Sequence, residues 1–195
     1  GGVGMITVGY ATVNDYSGNA TNIGAHKDEF IPGLRRLAKV IQEGGARAVV
    51  QINHAGRYNF SEFMDGRQAV APSAVPSRLT GETPKALTVG EINQTIEQFA
   101  SAAYRVKAAG YDAVEVLSGT GYLISEFLSP LTNKRTDDYG GTFSNRMRFG
   151  LETIRAIRSK VGEDYPVLVR INGNDFMPGG NSRADLREFA IKLAA

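Results

Sequence analysis

The amino-acid sequence predicts an α/β fold in which parallel strands alternate with helices. Four short apolar runs rich in β-branched residues alternate with four stretches that repeat apolar residues at helical spacing. The connection from each helix to the next strand is short, whereas two connections from a strand to the next helix are long. This alternation, together with the asymmetry of the loops, is typical of a sheet built from repeated strand and helix units.

The predicted strands cover residues 4–9, 46–53, 113–117 and 166–172. Each run is bounded by Gly, Pro, Asn or Asp, which favour turns. Within the runs the apolar character is nearly continuous, as expected for parallel strands that are covered on both faces.

The predicted helices are marked by signals at their ends. Pro32 lies just inside the first helix and glycines follow its end, which is the usual distribution of these residue types. Thr88 and Glu91 form a capping-box pattern at the start of the second helix. We expect the four helices to begin near residues 32, 88, 144 and 182; the first three end near residues 44, 110 and 162, and the last continues to residue 195.

The long connections, residues 54–87 and 118–143, both follow the carboxyl end of a strand. Ligands bind at this end in open doubly wound sheets and in closed eightfold barrels, so we expect the functional site there. Four strands account for half of such a barrel. We therefore expect residues 1–195 to be one incomplete domain, a fragment of a larger domain that includes one earlier strand and three later ones.

The composition narrows the class of ligand. The chain has 22 Lys plus Arg against 20 Asp plus Glu, with no basic block, so we expect neither a nucleic-acid partner nor a membrane surface. It contains no cysteine, which excludes disulfides and Cys-held metal within this sequence and fits a cytoplasmic location. The two histidines lack carboxylates at ligand spacing, so no metal site is predicted. His54 is interpreted as a hydrogen-bonded residue that supports either the site residues or the fold. Small molecules are the expected partners.

Three polar residues interrupt the apolar strands: Gln51, Glu115 and Arg170. Buried polar groups need partners, so these positions indicate either a site or a structural pair. Strand alternation allows Gln51 and Arg170 to point into the interior of a barrel. The alternative, an ion pair between Arg170 and Glu115, is compatible with ligand binding.

Tyr122 follows the third predicted strand on the same side of the sheet. A phenol at this place can donate a proton to a developing carbanion when a hydride donor is nearby. The alternative is a tyrosine whose ring packs while its hydroxyl bonds a backbone carbonyl.

Four sequence segments carry a resemblance to a known family. The segments are QINHAGRY at residues 51–58, APSA at residues 71–74, and GYLISEFLSPLTNKRTDDYGG at residues 121–141, which NRMRF follows at residues 145–149. Together they resemble the old yellow enzyme superfamily over the whole chain. The resemblance implies a partial (β/α)8 TIM barrel, with about strands 2 to 5 and their helices present. It also implies an FMN-dependent ene-reductase that transfers hydride from NADH or NADPH to an activated carbon–carbon double bond.

The resemblance assigns expected roles to individual residues. Gln51 matches the glutamine that hydrogen-bonds the flavin pyrimidine edge, and Arg170 matches the arginine beside flavin N1 and O2. A permanently charged guanidinium favours the negative charge of reduced flavin at that edge. Tyr122 matches the proton donor to the alkene carbon. Gly9 and Tyr10, in the loop after the first predicted strand, are expected to approach the flavin through backbone groups.

The sequence departs from many ene-reductases at two expected substrate-binding positions. Leu117 and Thr120 stand where those enzymes carry two hydrogen-bond donors for the substrate carbonyl, and a leucine cannot polarise a carbonyl. The departure resembles the 2,4-dienoyl-CoA reductase-like branch, which implies an iron–sulfur cluster and a second flavin beyond residue 195. Two alternatives remain open: an amine oxidoreductase similar to trimethylamine dehydrogenase, and a truncated chain that is inactive on its own. A homo-oligomer is also possible.

Overall fold

The computed structural model describes residues 2–19 and 21–195 and contains each of the predicted strands and helices. Its strands are β1 (Met5–Thr12), β2 (Ile23–Gly24), β3 (Arg47–Asn53), β4 (Val70–Ala71), β5 (Lys85–Ala86), β6 (Ala113–Ser118) and β7 (Val167–Ile171). Its α-helices are α1 (Ile31–Glu43), α2 (Val89–Ala108), α3 (Leu123–Leu128), α4 (Phe143–Val161) and α5 (Arg183–Ala194). Short 3-10 helices cover Asp28–Phe30, Gly56–Tyr58 and Ser61–Met64. Among the described residues, no helix has both the length and the apolar character needed to cross a membrane.

The four long strands, β1, β3, β6 and β7, lie side by side in chain order in one sheet. The two-residue strand β2 pairs with the outer edge of β1, which gives the order β2-β1-β3-β6-β7. Every neighbouring pair is parallel. In a doubly wound sheet the order reverses at a switch point, whereas strands of a barrel follow one another around it. The order therefore agrees with a sector of a (β/α)8 barrel and confirms the predicted α/β fold class.

The helices cover one face of this sheet. Strand residues of that face, including Val50, Ile52, Val114 and Val116, are fully buried in a core shared with the helices. Alternate residues, including Gln51, Glu115 and Arg170, belong to the opposite face, which would line the interior of a closed barrel. The apolar residues thus drive the packing of the helices and leave the polar ones together on the other side.

The core between the helices is built around stacked aromatic rings. Phe127 of α3 stacks on Phe149 of α4 with ring centroids 4.3 Å apart, and both side chains are fully buried. Phe99 of α2 is also fully buried in this core. Burying one such side chain contributes about 1.5–3 kcal/mol, so these contacts fix α3 above the carboxyl end of β6.

The structure corrects the end of the first strand. The prediction ends this strand at residue 9, whereas β1 continues to Thr12 because Ala11 and Thr12 pair with β2. The register of β1 against β3 shifts between Val8 and Ala11. Gly9 and Tyr10 therefore lie at an irregularity within β1 and not in a loop after it.

The long connections contain structure that periodicity does not predict. Residues 54–87 hold two 3-10 helices and the parallel pair of β4 and β5. Residues 118–143 hold α3, whose six residues are all buried and so show no polar face. Helix α4 begins one residue before the predicted start, because the Thr142 side chain accepts a hydrogen bond from the Asn145 N–H. Both connections lie over the carboxyl ends of the strands, as expected.

Candidate active site

Gln51 and Glu115 lie opposite each other on the uncovered face of the sheet. The Gln51 Nε2 donates to Glu115 Oε1 over 2.6 Å. A Cβ placed on Gly9 would come within 3.3 Å of Gln51 Oε1, so the absent side chain leaves room for this amide. Across residues 2–19 and 21–195 the amide makes no other hydrogen bond. One N–H and the carbonyl oxygen of Gln51 are therefore free for a ligand.

Arg170 lies on the same face but does not pair with Glu115. The strand register places Arg170 opposite Leu117, while Glu115 lies opposite Leu168. Arg170 is exposed and forms no ion pair within the described part of the chain. The alternative of an Arg170–Glu115 ion pair is wrong for this structure, because Arg170 lies two positions farther toward the carboxyl end and Glu115 bonds Gln51 instead.

Tyr122 lies at the N-cap of α3 between two other tyrosines. Its ring centroid is 5.8 Å from that of Tyr10 and 6.0 Å from that of Tyr58, and both pairs are edge-to-face. In the described residues its hydroxyl makes no hydrogen bond to a backbone carbonyl. Burial, together with the neighbouring Tyr122, raises the pKa of Tyr10 to about 12. Tyr10 is therefore a neutral neighbour of the candidate proton donor, and Tyr58 is a neighbour that the sequence did not single out.

The loop that leads to Tyr122 has a constrained backbone. Thr120 has φ of +59°, which is uncommon for a β-branched residue. Its N–H donates to Asn172 Oδ1 over 3.0 Å, and its hydroxyl donates to the Gly119 carbonyl over 2.8 Å. A Cβ on Gly119 would lie only 2.7 Å from Asn172 Oδ1. Asn172, directly after β7, thus holds the loop. The sequence predicts its position at the end of a strand but not this contact.

A cleft of about 570 Å³ opens beside these loops. This volume lies within the usual range for sites that bind small molecules. Leu117 is buried, whereas Thr120 lines the cleft. Among the other residues that line it are Arg57, Tyr58, Gly121, Glu126 and Asn172. Of the predicted site residues, Gln51, Gly9 and Arg170 lie together on the face of the sheet, Tyr10 and Tyr122 form the ring cluster, and Thr120 borders the cleft.

Two ionisable side chains are buried close to the cleft. His54 is inaccessible to solvent, and its Nδ1 accepts a hydrogen bond from the Gly56 N–H over 3.1 Å. Burial lowers the pKa of His54 to about 3, so the ring is neutral, as expected for a structural residue. Burial raises the pKa of Glu126 well above its usual value, against the lowering effect of Arg57. Glu126 is not among the predicted site residues, although an acidic residue within the apolar run LISEFL is a detectable signal.

The face of the sheet fits one edge of a flavin ring. The free donor and acceptor of Gln51 match the alternating polar atoms of a pyrimidine edge. The exposed guanidinium of Arg170 supplies positive charge to an electron-rich ring, and Gly9 permits close approach of backbone. The residues present therefore fit the isoalloxazine group of FMN.

Comparisons with known proteins find similarity along almost the whole chain. A model of the NADH:flavin oxidoreductase / NADH oxidase family matches residues 1–195. A metal reductase from Desulforamulus reducens is 53% identical over 190 residues, which are 97% of this chain and 28% of that protein. An NADPH dehydrogenase from Geobacillus sp. is 41% identical over 195 residues, which are 99% of this chain and 55% of that protein.

A solved structure shows the same fold. The structure of 2-naphthoyl-CoA reductase in complex with 2-naphthoyl-CoA superimposes with a TM-score of 0.92 at 33% identity. The match covers 97% of this chain and 31% of that one. The chain thus spans about half or less of the length of these relatives.

Replacing Thr120 by Asn tests the strain in the loop before Tyr122. Asn adopts a positive φ at lower cost than a β-branched residue, so Thr120→Asn should raise the free energy of unfolding by about 1 kcal/mol. Denaturant unfolding measures the change. Thr83→Asn, at an exposed loop position without a positive φ, is the control and should be nearly neutral. Equal destabilisation by both changes would contradict the assignment of strain.

Replacing His54 by Asn tests the buried neutral ring. Between pH 6.5 and about 3 the unfolded chain binds a proton at His54 that the native state does not, so stability falls as the pH falls. The slope is about 1.4 kcal/mol for each pH unit in that window. His54→Asn keeps an acceptor for the Gly56 N–H but cannot titrate. Thermal unfolding from pH 8 to pH 3 should show that His54→Asn loses less stability than the unmodified protein as the pH falls. The difference in stability between the two proteins at pH 8 is the baseline. Parallel curves of stability against pH would count against the assignment.

Proposed function

Because the chain belongs to the NADH:flavin oxidoreductase / NADH oxidase family, we propose that the protein is an FMN-dependent oxidoreductase that uses NADH or NADPH to reduce an activated carbon–carbon double bond. The proposal is carried by one observation: the Gln51 amide, the gap at Gly9 and the Arg170 guanidinium lie on one face of the sheet. Residues 1–195 then form an incomplete FMN-binding barrel domain that carries one part of the site.

The chemistry that FMN supplies when bound is acceptance of hydride from NAD(P)H and its delivery to an electron-poor carbon. The side chain of Gln51 orients the pyrimidine edge through its free N–H and carbonyl oxygen. Arg170 stabilises the negative charge that develops there. The backbone around Gly9 and Tyr10 would contact the bound ring. A side chain at residue 9 would crowd the Gln51 amide, because its Cβ would lie 3.3 Å from Gln51 Oε1.

Tyr122 is the proposed proton donor. An alkene that receives hydride at one carbon requires a proton at the other, and a phenol supplies it without carrying charge beforehand. The edge-to-face contacts with Tyr10 and Tyr58 restrict the Tyr122 ring, so that its hydroxyl has a defined position. The absence of a hydrogen bond to a backbone carbonyl within the described residues leaves this hydroxyl available.

The proposed substrate is an enoate or a dienoyl-type compound. Leu117 is buried opposite Arg170 and has no donor for a substrate carbonyl. The Thr120 hydroxyl already donates to the Gly119 carbonyl, so neither side chain of this pair offers a free donor. The similarity to a 2-naphthoyl-CoA reductase supports an acyl-CoA substrate. The iron–sulfur cluster and second flavin beyond residue 195, a homo-oligomer and a cytoplasmic location remain predictions.

An amine oxidoreductase is the second candidate, and Leu117 is the observation that favours it. An amine substrate needs no polarised carbonyl, so an apolar residue at that position has no cost. Reduction of the flavin by an amine without pyridine nucleotide would identify this function. A chain of residues 1–195 that is inactive alone would agree with either enzyme.

Replacing Tyr122 by Phe tests the proton donor. General-acid catalysis contributes about 100-fold or more, so Tyr122→Phe should slow alkene reduction by at least that factor. Flavin reduction by NAD(P)H should be nearly unchanged, because it needs no proton from Tyr122. Stopped-flow absorbance resolves the two half-reactions. The control is Tyr104→Phe, at an exposed position on α2. If both half-reactions slow equally, Tyr122 is not the proton donor.

Replacing Arg170 by Leu tests the flavin contact. Loss of a charged hydrogen bond should weaken FMN binding by about tenfold or more and make the flavin harder to reduce. Fluorescence titration with FMN and a redox titration measure these effects. Arg187→Leu removes an exposed arginine of α5 and should change neither quantity. An Arg170→Leu protein with unaltered FMN affinity and potential would rule out the assignment.

A further inference from the structure

Glu126 is a buried carboxyl that the proposed mechanism does not use. Its side chain is 1% exposed, although it borders the cleft. The Oε1 atom accepts a hydrogen bond from the backbone N–H of Arg57 over 3.0 Å. In the described part of the chain Oε2 has no partner. Burying a carboxyl carries a cost in free energy, so a compensating structural or functional role is expected.

The carboxyl group lies directly against Gly56. A Cβ placed on Gly56 would be 2.5 Å from both Oε1 and Oε2, and Gly56 has φ of +60°. Only glycine therefore allows this close approach and this backbone conformation together. Gly56 begins the 3-10 helix Gly56–Tyr58, so the contact fixes the start of the segment that carries Arg57 and Tyr58.

The same segment presents Tyr58 to Tyr122. A Cβ on Gly121 would lie 2.5 Å from Tyr58 Cε2, so the Tyr58 ring packs directly on the residue before Tyr122. The Arg57 guanidinium lies over the Tyr58 ring at 5.5 Å and donates to the Pro76 carbonyl over 3.1 Å. A displacement of this turn would therefore move a ring that restricts the candidate proton donor.

We propose that Glu126 is a positioning residue, whose carboxyl holds the Gly56–Tyr58 turn through the Arg57 N–H and thereby fixes the Tyr58 ring against Gly121 and Tyr122. The role belongs to the oxygen acceptor at this depth and not to a negative charge. Its catalytic consequence, correct orientation of Tyr122 for proton donation, rests on the proposed function.

The geometric part of the proposal is tested by changes at Glu126 alone. Glu126→Gln is isosteric and keeps the acceptor, Glu126→Leu removes it at similar volume, and Glu126→Asp retracts it by one methylene. In the full-length holoenzyme, hydrogen exchange of the Arg57 amide should become about tenfold faster in the Leu and Asp variants and stay close to wild type in Gln. The control is Asp112→Leu, which removes a carboxylate that accepts from the Ala48 backbone N–H at the opposite, amino end of β3 and β6.

A second readout follows the ring. Fluorotyrosine incorporated at position 58 reports its surroundings by fluorine NMR. Its resonance should shift or broaden in Glu126→Leu and Glu126→Asp and stay close to wild type in Glu126→Gln, while Asp112→Leu leaves it unchanged. Glu126→Asp also covers the case in which the Leu variant does not fold.

A third readout separates positioning from a purely structural role. Glu126→Asp should reduce kcat of alkene reduction by about tenfold while flavin reduction by NAD(P)H keeps its rate, and Glu126→Gln should recover kcat. Faster exchange and a shifted ring resonance without this change in kcat would make Glu126 merely structural and overturn the proposal. Unaltered exchange and an unaltered resonance would overturn it as well.

Failure of the proposed function gives a different result from failure of the Glu126 proposal. An unmodified holoenzyme that lacks both half-reactions refutes the proposed oxidoreductase. In that case exchange and NMR still decide whether Glu126 holds the turn.

Discussion

The parallel pairing of β1, β3, β6 and β7 is the constraint on which the rest of this structure depends. Because the four strands run in one direction, their carboxyl ends meet at one edge and so do the loops that follow them. Because the register pairs Gln51 with Glu115 and Leu117 with Arg170, strand alternation separates apolar residues from polar ones. A slip of one residue in β3 would turn Gln51 into the core with the helices and Val50 toward the site.

Packing on the apolar face of the sheet also fixes the residues of the polar face. Packing of Val50 and Val114 against the helices fixes the strands, and fixed strands hold the Gln51 amide at a constant distance from Glu115. A polar group that is held this way needs no reorganisation when a ligand binds. Arg170 differs, since it is exposed and unpaired among the described residues; in the proposed function its partner is the flavin.

Much of this fold could be predicted because periodicity and capping are local properties of a sequence. The capping boxes at Thr88 and Ser182 are present, and the membership of the old yellow enzyme superfamily is confirmed. Gln51 and Arg170 were detectable as polar residues in apolar strands. Glu126 and Tyr58 were not singled out as site residues, because their roles depend on contacts between loops that are far apart in sequence. The extension of β1 to Thr12 likewise depends on pairing with β2, which is too short to carry a periodic signal.

The loops of the candidate site are interlocked at three glycines. Gly56 accommodates the carboxyl of Glu126, Gly121 accommodates the ring of Tyr58, and Gly119 accommodates an Asn172 side chain. Each glycine belongs to one loop and each side chain to another, so the loops after β3, β6 and β7 constrain one another. A new side chain at any of these glycines would displace a residue that borders the cleft. The shape of the cleft is therefore a collective property of three loops.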